Sequence, residues 1–385
     1  MTSDENRIDE LLAAALRGDS APWPTGWGDL GQAAIERIAY HGIAGLLNER
    51  AGALRDWPAV VTNYMRGQGI ALAMWEMRHK VVLGDLLGGL ADSGVEPLLL
   101  KGTALAYDLY PLPATRARGD SDMLVAATEL HAARAVFERL GYYLQPLAEG
   151  IADDLALQEV WSFTDGSGNA HHIDLHWQLL NAPALGNLLD HAACSTDPLP
   201  LPRLSPAARA MRRPLTLLHC CIHRALHLTS PYIVGSVTYY GGDRLVWARD
   251  IDLLARALTA AEWQWFSAAA IDQGVAAVCS DGLALAQRTL GSEVPDEVMV
   301  ALGAARGEQA SAYLLGAGQA RRTWLDLWAI RGWRRKLAYV AARGLPPAGF
   351  MRGKYPELAG RPLALLHLQR MVDLIRPRPS HRGRR

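Results

Sequence analysis

The sequence predicts an α+β protein, with a small mixed β-sheet core flanked by N-terminal helices and a larger C-terminal helical region. Three observations predict it. Up to about residue 92 the apolar residues recur at helical spacing. Between Val95 and about Leu180, short apolar or alternating runs are interleaved with helix-like segments. From Ser205 to the end of the 330s the chain returns to helical stretches rich in Ala, Leu and Trp. Half of the 385 residues are hydrophobic, enough to bury a large core in two or three domains. The expected divisions are a helical region 1–92, a mixed α/β core 93–180, a helical domain 181–345 and a basic segment 346–385, its last ten residues disordered.

In order along the chain, Asp4 to Arg17 carries Ile8, Leu11, Leu12 and Leu16 on one helical face. Pro22 to Gly28 is a loop, and Gln32 to Arg50 and Ala59 to Ala91 are helical, the second interrupted by Gly67, Gly69 and Gly84. Strand Val95 to Leu100 opens the mixed core. Helix Thr103 to Tyr110, a proline-rich loop to Thr115, strand Ser121 to Val125 and helix Thr128 to Leu140 follow. Tyr142 to Leu144 reads as a short strand. Glu159 to Phe163 and Ala170 to Trp177 flank Asp165-Gly166-Ser167-Gly168 as the arms of a hairpin. Arg244 to Leu258 is a helix bearing Asp250 and Asp252, for which surface salt bridges are the simple reading. Leu345 to Tyr355 reads as a loop. Trp263, Trp265, Trp324, Trp328 and Trp333 are expected to pack between helices rather than to stack on bases.

No window approaches twenty uninterrupted apolar residues, and the N-terminus is polar, so neither a membrane span nor a signal peptide is indicated. A cytoplasmic location is the expectation. Cys194, Cys220, Cys221 and Cys279 lack CxxC spacing and read as buried thiols. The net charge of zero hides an asymmetry. Residues 321 to 385 hold sixteen Lys or Arg against Asp326, Glu357 and Asp373, near +13, and the remainder is therefore near −13. Such an end suits nucleic acid, an anionic lipid surface, a partner protein or the acidic remainder of the same molecule. The run Arg321 to Val340 is both amphipathic and basic, which adds a membrane-surface helix to those readings.

The chemistry concentrates between Pro97 and Val125. An apolar run ends in Lys101-Gly102-Thr103, and a second carries Asp120 and Asp122. On a strand these two carboxylates share a face, with Cα atoms about 6.5 to 7 Å apart. Carboxylates so placed bind divalent cations jointly. Gly102 allows a close backbone approach, and the start of the following helix offers free N–H groups to phosphate oxygens. Lys101 suits a phosphate or a carboxylate, and Arg116 a phosphate or a nearby acid. In the second hairpin arm, Ile173, Leu175 and Trp177 make one face and His172, Asp174 and His176 the other. Asp174 thus supplies a third carboxylate, the number needed for two-metal nucleotidyl transfer.

These residues carry a resemblance. Lys101-Gly102-Thr103, Arg116 four before Asp120, the Asp-x-Asp pair followed by Met123-Leu124-Val125, and Ile173-Asp174-Leu175-His176-Trp177 resemble the bacterial family of uncharacterised nucleotidyltransferases within the DNA polymerase β-like superfamily. Leu245 to Ile251, the helix with His219, His223 and His227, and the stretch Pro346 to Pro356 extend the likeness over most of the chain after about residue 60. The resemblance implies a transferase core followed by helices. It implies a triphosphate held at Gly102 and Thr103 and two Mg²⁺ ions, or Mn²⁺, held by Asp120 and Asp122; Lys101 and Arg116, read from their own positions, join the expected nucleotide-binding set. It also implies that Asp174 completes the metal site and assists the acceptor hydroxyl. His172 and His176 would orient the carboxylates or the substrate. Two departures stand out: Gly102-Thr103 replaces the usual Gly-Gly or Gly-Ser, and Ser121 replaces the usual apolar residue between the carboxylates.

The expected function is transfer of a nucleoside monophosphate from a nucleoside triphosphate such as ATP to an unidentified hydroxyl on a peptide, protein, RNA end or metabolite. The alternative is a non-catalytic nucleotide- or partner-binding module on the same fold, and a metal-dependent hydrolase using His172, Asp174 and His176 ranks below both. His219, His223 and His227, at i, i+4 and i+8, have no HExxH glutamate beside them and read as core-helix histidines beneath the site, with zinc as the alternative.

Overall fold

The structure is a computed structural model and describes residues 3–28, 30–54, 56–145, 157–180, 182–228, 231–234, 237–240, 242–375 and 383–384. Helix α1 (Ser3–Arg17) buries Ile8, Leu12 and Leu16. The single helix expected over Gln32 to Arg50 is two, α2 (Gly31–His41) and α3 (Ala44–Glu49). Gly42 divides them. At φ +68° it takes the left-handed helix-ending conformation, its N–H donates to the Ile38 and Ala39 carbonyls, and a Cβ there would lie 2.7 Å from an Arg244 guanidinium nitrogen. Helix α4 (Ala59–Asp92) runs unbroken through its glycines, because tertiary packing of Leu83, Leu86, Leu87 and Leu90 outweighs their low helix propensity.

The sheet that follows comprises β1 (Leu98–Leu99), β2 (Asp120–Leu124), β3 (Tyr143–Leu144), β4 (Gln158–Thr164), β5 (Ala170–His176), β6 (Leu199–Pro200) and β7 (Arg209–Ala210). Its order is β3-β4-β5-β2-β1-β7-β6. Strands β2 and β5 are parallel, as are β1 and β7, and the remaining pairs are antiparallel. The sheet is mixed, and the protein is α+β. Helix α5 (Lys101–Asp108) joins β1 to β2, and α6 (Leu130–Arg139) packs Ala133, Val136 and Phe137 on the face carrying Met123, Ile173 and Leu175. Strand β1 is shorter than the expected Val95 to Leu100, because Pro97 removes a ladder donor at its start. The Leu100 N–H still bonds the Asp122 carbonyl at 2.9 Å.

After the short α7 (His191–Cys194), helix α8 (Arg213–His227) is buried along most of its length. A hairpin then interrupts the helical region, β8 (Pro231–Val234) with β9 (Val237–Tyr240). Its β-branched and aromatic run is a strand signal overlooked between two helices. Helices α9 (Leu245–Ala257), α10 (Ala260–Asp272), α11 (Ala276–Leu290), α12 (Asp296–Ala304) and α13 (Gln309–Ser311) follow, then α14 (Gln319–Ala329), α15 (Trp333–Gly344), α16 (Ala348–Lys354) and α17 (Leu363–Ile375). Helix α16 falls where a loop was expected: Pro347 precedes its first residue, and Met351 inserts into a small core with Tyr355 and Leu366.

One apolar core runs from Ile8 of α1 through Leu124 of β2 to Leu283 of α11, so the first and last helical regions close over one side of the sheet together. Trp263 packs inside, as expected, and Arg212 stacks over Trp265. Trp324, Trp328 and Trp333 do not. They stand 57%, 63% and 67% exposed, because the inward faces of their helices are taken by Asp326, Ile330 and Tyr339. All four cysteines are free and buried. Of the last ten residues, expected to be disordered, all but Gly383 and Arg384 lie outside the described residues, and those two pair antiparallel with β9. Among the described residues, no helix is long and apolar enough to cross a membrane.

Candidate active site

The register of β2 and β5 brings the three aspartates together. Asp122 is paired with Asp174, Asp120 with His172 and Leu124 with His176, so period-two alternation sets the polar side chains of both strands on one face. The carboxylates of Asp122 and Asp174 and the ring of His176 each offer an atom within 4.8 Å of the others. Among the described residues, they are the group of His, Cys, Asp and Glu that could share an ion. Asp120 stands more open, at the mouth of the same cleft.

Lys101 closes the site from β1. It takes φ +47°, a left-handed conformation that costs a non-glycine residue about 1 kcal/mol or more. Its Nζ donates to Asp122 Oδ1 at 2.7 Å, and His176 Nε2 lies 3.0 Å from the same oxygen. Gly102 follows, where a Cβ would stand 3.4 Å from the Arg116 guanidinium, so the absence of a side chain leaves that cation open to the cleft.

The site carries more carboxylate than cation. Burial by itself would raise the Asp122 carboxyl, but Lys101 and His176 more than offset it and hold the group below the usual carboxylate range. Asp174 has no such partner. Burial, then the charges of Asp122 and Asp120, push it up to about 8 against the opposing charge of Lys101, and Gln158 reaches it with a 3.4 Å amide contact. Asp120, although open at the cleft mouth, is raised as well, by the protein walls around it and by the Asp122 charge, against Lys101 and Arg116. Burial keeps His176 below its ordinary value, against the opposing hydrogen bond to Asp122.

Across the cleft stand helices α8 and α9. His219, His223 and His227 line it with Leu226, Arg244 and Trp247, and the enclosed volume is about 650 Å³, within the range of small-molecule sites. These histidines therefore form a wall of the cleft and not a core beneath it. Burial, and then the Lys101 charge, lower His219 to about 3 and His227 to about 4, so both rings are neutral. The Nδ1 atoms of His219 and His227 are buried with no partner among the described residues. The three do not bring their nitrogens into a common ion site with one another.

Four sequence-level expectations take a different form. Arg116 is held by Asp250: its Nε donates at 2.8 Å and its Nη2 at 2.7 Å, while Nη1 donates to the Ala117 carbonyl. Asp250 is accordingly buried rather than on a helix surface, and it also accepts from the Tyr110 hydroxyl at 2.7 Å. The Thr103 hydroxyl turns away from the cleft to Ser121 Oγ, 2.8 Å distant, leaving only its main chain for a ligand. His172 lies against Ser162 Oγ at 2.7 Å and does not join Asp174 and His176 in one donor group. Ser121 faces the interior as its alternation requires, and His79 Nε2 meets it at 2.7 Å, which accounts for a hydroxyl at a position usually apolar.

Residues with no role assigned beforehand also reach the cleft: Arg118, Gln158, Leu179, Arg244 and Trp247. Of these, Gln158 was accessible by counting. It opposes His176 across the β4–β5 ladder, two residues from Val160 opposite Asp174, and so shares their face.

Fold and site together define a class, an α+β protein with clustered strand carboxylates facing a glycine-led helix start across a nucleotide-sized cleft. The chain belongs to the family described as uncharacterised nucleotidyltransferase, whose pattern matches residues 30–291. No curated protein and no solved structure matches the chain. The family match begins earlier than residue 60 and ends before the Pro346 to Pro356 stretch. Its activity class is nucleotidyl transfer, which takes a nucleoside triphosphate as substrate.

Proposed function

We propose that this chain is a metal-dependent nucleotidyltransferase that moves a nucleoside monophosphate from a nucleoside triphosphate to an acceptor hydroxyl. The observation that carries the reading is the parallel register that sets Asp122 beside Asp174, with Asp120 two residues away on the same face. The donor set fits divalent cations: two or three carboxylates face one lysine, and the excess negative charge is relieved only by a proton on Asp174 or by an added cation. Oxygen ligands suit Mg²⁺, and His176 beside them extends the choice to Mn²⁺. When bound there, such ions neutralise charge on the reacting phosphate oxygens.

The residues of the chain have separable tasks. Asp120 and Asp122 hold the cation side of the triphosphate, and the start of α5 at Gly102 and Thr103 offers main-chain N–H groups to its phosphates. Lys101 aligns Asp122 and supplies a positive charge beside the phosphates. Arg116, anchored by Asp250, presents the edge uncovered by Gly102. Asp174 receives the proton of the acceptor hydroxyl as its oxygen bonds to the α-phosphorus, and the α–β bridging bond breaks to release pyrophosphate. His223, His227 and Trp247 provide ring faces for the base or the acceptor.

The test is incubation with each α-labelled triphosphate, divalent metal and cell extract, followed by detection of labelled product and pyrophosphate. Label transfer that disappears in Asp122→Asn supports the proposal, and nucleotide binding without any consumption overturns it. That second outcome would favour a non-catalytic nucleotide-binding module, a reading to which the Lys101–Asp122 bond gives some weight because an ammonium then stands on a metal ligand.

A further inference from the structure

We infer that the outer face of α14 and α15 is a docking surface for an anionic lipid bilayer. The solvent faces of these helices carry apolar stripes among exposed basic residues such as Arg321, Arg334 and Arg335. On α15, Trp333, Leu337 and Val340 recur at i, i+4 and i+7 and are each more than half exposed. On α14, Trp324 and Trp328 stand one turn apart, ring centroids 5.7 Å from each other. Lys336, about 60° round α15 from Trp333, carries its Nζ to 4.6 Å from the Trp328 ring, so the two stripes share one surface.

Charge selects the occupant. The segment from Arg321 onward is near +13, and two of its three acids are engaged within the fold. Asp326 is buried under the Tyr313 and Tyr339 hydroxyls, and Asp373 is engaged by Tyr355 and Gln369. A nucleic acid would satisfy the cations but leave the Leu337 and Val340 stripe without a counterpart. A like face of a second copy would satisfy the stripe but oppose two strongly positive surfaces. An anionic bilayer satisfies both: indole rings and aliphatic side chains enter the headgroup boundary while arginine and lysine meet the lipid phosphates. The inference is independent of the transfer chemistry, since none of these side chains lines the cleft.

The experiment is co-sedimentation of the full chain with vesicles of phosphatidylcholine, with and without phosphatidylglycerol. Sedimentation is expected with the anionic vesicles and is expected to weaken at high salt. Combining Trp324→Ser, Trp328→Ser and Trp333→Ser should reduce the bound fraction at least about tenfold while the thermal transition is retained. Arg334→Glu with Lys336→Glu should do the same, and this basic pair decides the matter should the tryptophan variant fold poorly. Three results overturn the inference: a chain that stays in the supernatant with anionic vesicles, variants that bind as well as the parent, or a surface whose substitution abolishes self-association or RNA capture but not vesicle binding.

Discussion

Arg116 meets Asp250 through a bidentate contact, and Lys101 meets Asp122 through a single one, in walls of the same cleft. The first pair is balanced. One cation faces one carboxylate, the Tyr110 hydroxyl and the Ala117 carbonyl satisfy remaining valences, and both partners are buried. The second is not. One ammonium faces a carboxylate that shares its surroundings with two more, and the surplus appears as an Asp174 carboxyl pushed up to about 8. The contrast separates scaffold from chemistry: a charge-matched pair holds α9 to the loop before β2, whereas a charge-deficient cluster is where an added cation lowers the free energy.

Substitutions that break this contrast should differ in kind as well as size. Asp122→Asn should lower label transfer by a factor on the order of 10³ because a charged metal ligand is lost, with the melting transition little changed because one carboxylate fewer relieves the surplus of negative charge. A melting loss comparable to the activity loss would make Asp122 a scaffold residue. Asp250→Ala should instead cost about 3–5 kcal/mol in denaturant unfolding, the price of leaving a guanidinium buried without its partner. Its activity should fall mainly with the folded fraction, with a smaller further loss because Arg116 is no longer anchored beside Gly102.

The pH dependence sharpens the same comparison. The Asp174 carboxyl of the metal-free fold keeps its proton to about pH 8, whereas its ordinary value is 3.8, so between these limits the folded state binds the extra proton. The Asp174 contribution to the stability of the chelated protein should therefore fall as pH rises from about 4 to about 8 and level off above it, superposed on the opposite slope that the depressed His219 and His227 contribute below about pH 6.5. Asp174→Asn should flatten that slope, and added Mg²⁺ or Mn²⁺ should raise the melting temperature of the parent but not of Asp122→Asn. An unchanged slope in Asp174→Asn would remove the charge-deficiency argument. The smallest effect belongs behind the site: Ser121→Ala leaves His79 and Thr103 without a shared partner and should cost about 1–3 kcal/mol, with transfer per folded molecule retained.

Much of the site was legible as one-dimensional pattern. Period two assigned Asp120 and Asp122 to one face, and Asp174 with His176 to another strand's polar face, since alternation depends only on backbone geometry. The role of Arg116 was not legible, because its acid lies 134 residues away on α9 and no local spacing encodes that encounter. His219, His223 and His227 showed their common helix face but not what it faced. The exposed tryptophans misled for a related reason: composition says that indoles are usually packed, while their exposure follows from which side of α14 and α15 was left uncovered.

By itself, then, the sequence determined the α+β class, the strands that carry the carboxylates and the family to which the chain belongs, because each rests on local periodicity and short-range motif. Tertiary structure decided the β2–β5 pairing that unites three aspartates, the engagement of Arg116 by Asp250, and the histidine wall opposite. Those are long-range contacts, set by which faces the folded chain could bury together, and their charge balance exists only once the groups share a low-dielectric space.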